Sequence, residues 1–310
     1  MVSPAENSVI IKRLAAQAGF SFCGISKADF LEEHAPRLEA WLKNGYHGKM
    51  EYLQNHFDMR LDPRKLVPGA KTVVSLLFNY FPGSAQSETA PRIAKYAYGE
   101  DYHVVVKDKC RELMELLRGE VGHIEGRAFT DSAPVMERAW AEKSGIGWIG
   151  KHGLLITKQH GSFFFLAELI IDLDCEPDTP IGDYCGTCTR CVDACPTEAI
   201  LPDKTLNASK CISYLTIELR EEIPSEFASK MEDWMFGCDI CQDVCPWNRF
   251  STPHNEPKFN PLPGILENDV SKWMEISEEV FGQIFKKSPV KRTKFSGFRR
   301  NLEFLNKHTS

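Results

Sequence analysis

Eight of the eleven cysteines are spaced as thiolate ligands. The first run is Cys185-x2-Cys188-x2-Cys191-x3-Cys195 followed by Pro196, and the second is Cys238-x2-Cys241-x3-Cys245 followed by Pro246, with Cys211 between them. The first run has the spacing of bacterial ferredoxins, in which the fourth cysteine ligates the other cluster. That rule assigns Cys185, Cys188, Cys191 and Cys245 to one four-iron cluster (4Fe-4S), and Cys195, Cys211, Cys238 and Cys241 to a second. Two clusters with crossed ligands lie close together, so the chemistry expected is one-electron transfer. Two four-cysteine zinc sites are the rival, but zinc sites usually present separate CxxC pairs and do not account for two Cys-Pro endings. Disulfides fit poorly: the cysteine count is odd, and tightly spaced thiols without a secretory leader suggest metal or redox use. Cys23, Cys110 and Cys175 sit in or beside apolar stretches and read as small buried hydrophobes.

The elements that must position these thiols follow from periodicity. Ile10, Ile11, Leu14, Ala15 and Ala18 fall at helical spacing, and Phe20 to Ile25 reads as a strand. A second helix opens over Pro36 to Leu42. Thr72 to Tyr80 is a β-rich run, Tyr102 to Leu117 an amphipathic helix, and Ile124 to Phe129 a strand. Ser132 is expected to cap a helix with Pro134 in its first turn, running to about Lys143. Leu154 to Thr157 and Phe163 to Ile171 are expected to pair around Gln159-His160-Gly161; the second, interrupted by Glu168, reads as buried. This alternation predicts an α+β or α/β domain over residues 1–174, a linker at Pro177 to Gly182, a cluster module over 183–250 and a C-terminal segment over 251–310. Gly145-Ile-Gly147-Trp-Ile-Gly150 spells GxGxxG, but a dinucleotide fingerprint must follow a strand and open a helix. Here it follows a helix and leads into a strand, so the glycines are read as a tight connection.

Composition is that of an ordinary globular protein, 43% apolar and 26% charged. No apolar run approaches the ~20 residues that cross a bilayer, and Met1 to Asn7 lack a signal pattern; the expected compartment is the cytoplasm, with no membrane contact. The net charge of −6 is unevenly spread. From Lys286 to Ser310 the chain carries +7, which leaves −13 on the rest. Lys291, Arg292, Lys294, Arg299 and Arg300 are interleaved with Phe295 and Phe298. Such a tail either binds nucleic acid, its cations on phosphates and its rings on unpaired bases, or is a solvated basic helix with the rings in the core.

A simple electron carrier does not need some 180 residues ahead of its clusters, so a second cofactor or substrate pocket is expected there. Tyr98-Gly-Glu-Asp-Tyr-His103, Phe129-Thr-Asp-Ser-Ala-Pro134, Glu137-Arg-Ala-Trp-Ala-Glu-Lys143, Gly145-Ile-Gly-Trp-Ile-Gly-Lys-His152 and Gly161-Ser-Phe-Phe-Phe-Leu-Ala-Glu168 carry a specific resemblance. Cys211-Ile-Ser-Tyr-Leu-Thr-Ile-Glu218, Phe236-Gly-Cys-Asp-Ile-Cys-Gln242 and Cys245-Pro-Trp-Asn248 extend it. Over nearly its whole length the chain resembles the epoxyqueuosine reductases, cobalamin-dependent enzymes of tRNA queuosine synthesis. The resemblance implies a nitroreductase-like domain that binds cobalamin, joined to a ferredoxin-like domain whose two clusters reduce cobalt. It implies epoxyqueuosine at the wobble position of a tRNA as substrate, an external low-potential electron donor, and action as a monomer. Longer members of the family continue into a helical-repeat extension.

The resemblance also aligns Asp131 with the family's proton donor. Loss of an epoxide oxygen builds negative charge that a positioned acid relieves, and burial against a corrin face would raise an aspartate's pKa toward that task. Local sequence equally allows Asp131 to be a helix cap beside Ser132. Arg60, Ala94, Leu155 and Ser213 align with positions near the cofactor; Arg60 could bind a corrin amide or phosphate or be a surface arginine between Asp58 and Asp62. Tyr98, Tyr102 and His152 are pocket liners or packed core. No Asp-x-His-x-x-Gly stretch is present, which predicts a cobalt without a lower histidine ligand. The alternatives are another cobalamin reductase, such as a reductive dehalogenase relative, a non-catalytic electron-transfer protein, and a zinc-binding RNA module.

Overall fold

The computed structural model describes residues 2–308. Its first half is built on one four-stranded sheet. Strand β1 (Phe22–Lys27), β2 (Thr72–Asn79), β4 (Gly126–Phe129) and β7 (Phe164–Ile171) lie in the order β1-β2-β7-β4, and every neighbour is antiparallel. The domain is therefore α+β, not a doubly wound parallel sheet. Central β2 and β7 are buried on both faces, so both need a covering layer. On one face Val74, Leu76, Phe78, Ala167 and Leu169 meet helix α1 (Pro4–Gln17) and helix α4 (Tyr102–Val121). Helix α4 buries Val105, Val106, Cys110, Leu113, Met114 and Leu117, a single stripe at helical spacing. On the other face Val73, Phe129 and Ile170 meet Ala139 and Trp140 of helix α5 (Glu137–Lys143). Helix α1 starts at a capping box, Ser3 with Glu6, with Pro4 at its first position.

Two local expectations are corrected. Helix α5 begins at Glu137, and Ser132 does not cap it: the Ser132 hydroxyl accepts from Lys107 Nζ at 2.8 Å instead. Strand β6 (Leu155–Ile156) pairs with β5 (Trp148–Ile149) and not with β7; Thr157 and Gly161 make only an isolated bridge across the Gln159–His160 turn. Gly145, at φ +73°, follows the end of α5 and leads into β5, a helix-to-strand connection as expected.

The remaining elements are not strung out behind the sheet. Strand β3 (Arg92–Ile93), from the first half, pairs in parallel with β8 (Trp234–Phe236) of the cysteine-rich half. Short helices α2 (Ala35–Lys43) and α3 (Phe57–Leu61) flank the sheet domain; α6 (Arg190–Asp193) carries Cys191, α8 (Ile240–Asp243) carries Cys241, and Cys211 precedes α7 (Ile212–Ile217). Helices α9 (Val270–Glu275), α10 (Glu278–Ile284) and α11 (Lys294–His308) close the chain. Ile93, Ala97 and Tyr98 share one core with Leu215, Met235 and Phe236, and with Trp273, Phe281 and Phe298 of the last segment. The C-terminal segment is thus a structural layer that clamps both halves, and Phe298, 1% exposed, is core and not a stacking platform. A polar seam joins the halves as well. Asn248 Oδ1 accepts from Ser162 N at 2.7 Å, and Gln242 Nε2 donates to Ser162 O and Oγ, both at 3.1 Å. No helix among the described residues is long and apolar enough to cross a membrane.

Candidate active site and cluster module

The eight cysteines fall into two groups. Burial, then the charges of Cys245, Cys185 and Cys188, push the Cys191 thiol up to about 11. Burial likewise raises Cys238 and Cys241, each with Cys211 among its charged neighbours, and Cys195 also acts on Cys238. These neighbours accord with the two expected ligand groups, the first Cys185, Cys188, Cys191 and Cys245 and the second Cys195, Cys211, Cys238 and Cys241. They approach each other through Cys191 and Cys241. Several sulfurs already receive backbone N–H groups: Cys195 from Ala199 at 3.3 Å, Cys211 from Ser213 and Tyr214, Cys245 from Trp247 and Asn248. Donors aimed at sulfur stabilise thiolate ligands and set cluster potential. Among the described residues no three His, Cys, Asp or Glu side chains are close enough to hold one metal ion. Cys23, Cys110 and Cys175 lie outside both groups, and burial raises all three thiols, the first two to about 12 and the last to about 11.

All four thiols of the second group line a cavity of about 290 Å³ between the two halves. Its opposite wall is apolar, from Leu154, Leu155, Phe164 and Leu166, with Tyr80, Tyr96 and His152 beside them. Two of the expected cofactor contacts, Leu155 and Ser213, lie on this lining. Ala94 is buried and gives its N–H to Phe236 O at 2.8 Å, so it supports the wall from behind. Arg60 is half-buried and donates to Tyr52 O at 3.0 Å and Asn55 O at 3.2 Å, away from that lining.

The corrin ring is a large, mostly apolar disc with an amide rim, and the lining fits such a group. His152 supplies the test. Burial, then the charge of Arg138, lowers its pKa to about 4, so the ring is neutral at pH 7. Its Nδ1 accepts from Leu154 N at 3.1 Å, which puts the proton on Nε2. That Nε2–H is buried without a partner, a donor suited to an amide oxygen. Protonated at Nε2 and occupied at Nδ1, His152 has no lone pair free for cobalt.

Tyr96 on the lining leads through Tyr102 to Asp131. Tyr96 meets Tyr102 edge-on at 6.0 Å, Tyr102 stacks on Phe165 at 4.2 Å, and the Tyr102 hydroxyl donates to Asp131 Oδ2. Burial, then the Asp131 charge, pushes the phenol far above its ordinary range, so it stays a donor. His103 Nε2 stands 3.7 Å from the same oxygen. Asp131 is not a helix cap: it is a non-glycine residue at φ +47°, and its side chain is 62% exposed instead of buried. Its own N–H donates to Glu137 Oε1 at 2.5 Å.

Sequence reasoning missed that acid and its partner. Glu168, mid-strand on β7, is 0% exposed with neither carboxylate oxygen hydrogen-bonded. Its register neighbour Ser75 also has an unpartnered hydroxyl. Burial, then the Glu137 charge, drives Glu168 well above the carboxylate range, and burial, then the Asp131 charge, raises Glu137 to about 8. A charged residue inside the apolar run Phe163 to Ile171 was the available signal.

The basic tail divides. Arg300 donates to Leu215, Leu219 and Glu221 carbonyls at 2.8, 2.7 and 2.6 Å and ties α11 to the cluster module, while Arg299 donates to Met274 O and ties α11 to α9, so neither is a free phosphate ligand. Arg292 forks onto Glu218 at 2.5 and 3.0 Å. The exposed phenol of Tyr52 feels the charges of Glu218, Arg292 and Asp131, so it lies between the start of the tail and the Asp131 loop. Lys291 and Lys294 are exposed.

Comparisons with known proteins agree with this arrangement. Residues 184–248 match the model "4Fe-4S double cluster binding domain", and residues 60–132 match "Epoxyqueuosine reductase QueG, DUF1730". The epoxyqueuosine reductase of Cellulophaga algicola is 57% identical, over 98% of this chain and 100% of its own. A crystal structure of epoxyqueuosine reductase with an epoxyqueuosine-modified tRNA-Tyr stem loop superposes with a TM-score of 0.87 at 32% identity, over 96% of this chain and 80% of its own. The Bacillus subtilis enzyme, in a structure described as having its catalytic aspartate loop swung out of the active site, gives 0.86 at 31% identity over the same shares. Identity of this extent, spanning sheet domain and cluster module alike, places the chain in the epoxyqueuosine reductase family.

Proposed function

We propose that this chain reduces the epoxide of epoxyqueuosine, at the wobble position of a tRNA anticodon, to queuosine, with cobalamin held between the sheet domain and the second cysteine group. The observation that carries this is the cavity itself: cysteine thiols on one wall, an apolar sheet-domain wall opposite, and Tyr96 on its lining linked through Tyr102 to Asp131. Residues 1–174 form the nitroreductase-like corrin domain, 183–250 the ferredoxin-like wire, and 251–310 the clamp that brings cations to the RNA. The relative solved with a modified tRNA stem loop supports the substrate. Cobalamin, when bound, supplies a reduced metal centre that passes electrons to the substrate carbon.

The chain's own residues do the rest. Leu154, Leu155 and Phe164 exclude water from the ring faces, and His152 Nε2–H binds an amide of the rim. The net change takes two electrons and two protons and releases the epoxide oxygen as water. Asp131, protonated, gives a proton to that oxygen as the carbon–oxygen bond breaks. Tyr102 orients the Asp131 carboxyl through its hydroxyl, and substrate seated on the loop covers it from water. Arg60, with Tyr52 beside it, and Arg292 lie on the side from which the anticodon loop arrives. Asp131→Asn tests the role: single-turnover epoxide reduction by pre-reduced enzyme should collapse while cobalamin still binds, and undiminished turnover would remove Asp131 as the acid.

A further inference from the structure

A row of four aromatic rings, buried at Trp148 and open at both ends, runs beside the first cysteine group. Ring centroids run Tyr184 to Trp148 at 5.3 Å, Trp148 to Trp247 at 5.0 Å, and Trp247 to Phe250 at 6.3 Å. The middle of the row touches the group: Trp148 Nε1 donates to Cys185 Sγ at 3.5 Å, and both tryptophans pack with Cys185 and Cys245. The ends are open, Tyr184 being 44% and Phe250 39% exposed. Each end carries a cation, Lys158 Nζ 3.7 Å over Tyr184 and the Arg249 guanidinium 4.3 Å over Phe250.

Those cations are not neutralised. Among the described residues neither Lys158 nor Arg249 has a carboxylate within ion-pair distance, while Asp183 is held by Lys204 and Asp243 by Lys95 at 2.6 Å. Lys151, which donates to Gly186 and Cys188 carbonyls at 2.9 and 2.8 Å, adds a third positive charge beside the group. On a chain of net charge −6 this is a local positive face. Exposed aromatic rings with cations on top are the composition of interface centres. Local positive charge selects and steers an acidic partner. Single-stranded RNA fits less well, because its bases need open ring faces and both end rings are already covered by cations.

Position supplies the function. The second group lines the cavity, so electrons bound for it arrive through the first. We propose that the Tyr184–Phe250 face docks a small acidic one-electron carrier protein, which reduces the first cluster through this surface. The proposal rests on the two-cluster reading. Each event moves one electron: a flavin hydroquinone anion becomes the neutral semiquinone, and a cluster passes from its 2+ to its 1+ state. No proton or bond change is needed.

The test uses reconstituted, cobalamin-free full chain and an acidic flavodoxin, photoreduced to the hydroquinone. Stopped-flow bleaching of cluster absorbance gives the transfer rate, and calorimetry with oxidised flavodoxin gives binding. The double variant Lys158→Glu, Arg249→Glu should lower the bimolecular rate by about tenfold or more at low salt and flatten its ionic-strength dependence. Bleaching by dithionite, which needs no docking, should be unchanged. Lys158→Gln, Arg249→Gln should fall between the two and guards against misfolding, with iron content checked in each. An unchanged flavodoxin rate and affinity would overturn the proposal, as would loss of tRNA stem-loop binding with bleaching intact. Failure of the wild-type chain to hold about eight irons would instead overturn the cluster reading itself.

Discussion

Glu137 offers a test of how the Asp131 loop is held. Asp131 adopts φ +47°, a conformation that costs a non-glycine residue about 1 kcal/mol or more. Two hydrogen bonds oppose that cost: the Tyr102 hydroxyl on Oδ2 and the Asp131 N–H on Glu137 Oε1. Glu137→Ala deletes the second acceptor, a loss of about 1–2 kcal/mol, which corresponds to a factor of about 5–30 in loop population. Single-turnover epoxide reduction should slow by up to that factor. Glu137→Gln keeps an oxygen acceptor and should retain most of the rate, but it removes the titrating proton. Glu137 ionises at about 8 in the fold against 4.5 for a free glutamate. Between those values the native state keeps a proton that the unfolded chain has lost, so wild-type stability falls as pH rises, by up to about 1.4 kcal/mol per pH unit. Glu137→Gln should lack this fall, and its Tm relative to wild type should rise by about 5 °C between pH 5.5 and 7.5. Parallel Tm curves, together with an undiminished Glu137→Ala rate, would refute both the raised acid and the positioning role.

Three further outcomes are expected. Cys195→Ala should disturb the cluster beside the cavity and Cys245→Ala the other, so the two variants should lose different electron paramagnetic signals; identical losses would contradict crossed ligation. Gln242→Ala removes both donations to Ser162 in the buried seam and should cost about 2 kcal/mol in denaturant unfolding; no change would mean that the seam is not a joint. Lys291→Ala with Lys294→Ala should weaken stem-loop binding and shallow its salt slope at unchanged Tm, whereas Arg300→Ala should lower Tm by leaving three carbonyls without their donor. The reverse pattern would exchange the roles assigned to the two halves of the tail.

What could be read from the sequence was local. Ligand spacing within Cys185–Cys195 and Cys238–Cys245 reports geometry confined to a few residues, so a double-cluster module was legible before any fold. Strands β2 and β7 were legible because long apolar runs admit little else. The partner of Leu155–Ile156 was not, because Trp148–Ile149 is only two residues long and its signal lay inside a glycine-rich connection. The start of α5 was misplaced because a serine ahead of a proline looks like a cap whether or not its hydroxyl is already used, here by Lys107. The roles of Arg299 and Arg300 depend on carbonyls 25 to 85 residues away, which no window of sequence displays. Glu168 was visible as a charge in an apolar strand, but its coupling to Glu137 needed the packing of α5 on the sheet.

The proposal assigns the cavity residues to hold cobalamin, which would supply the electrons for the epoxide, and Asp131 to supply the proton. The most direct test is anaerobic incubation of the reconstituted, cobalamin-loaded chain with a low-potential reductant and an epoxyqueuosine-bearing anticodon stem loop, followed by nucleoside mass analysis. The account predicts a product lighter by one oxygen, formed only when cobalamin is present and lost in Asp131→Asn. An unchanged nucleoside mass with both clusters and cobalamin bound, or equal product without cobalamin, would contradict it.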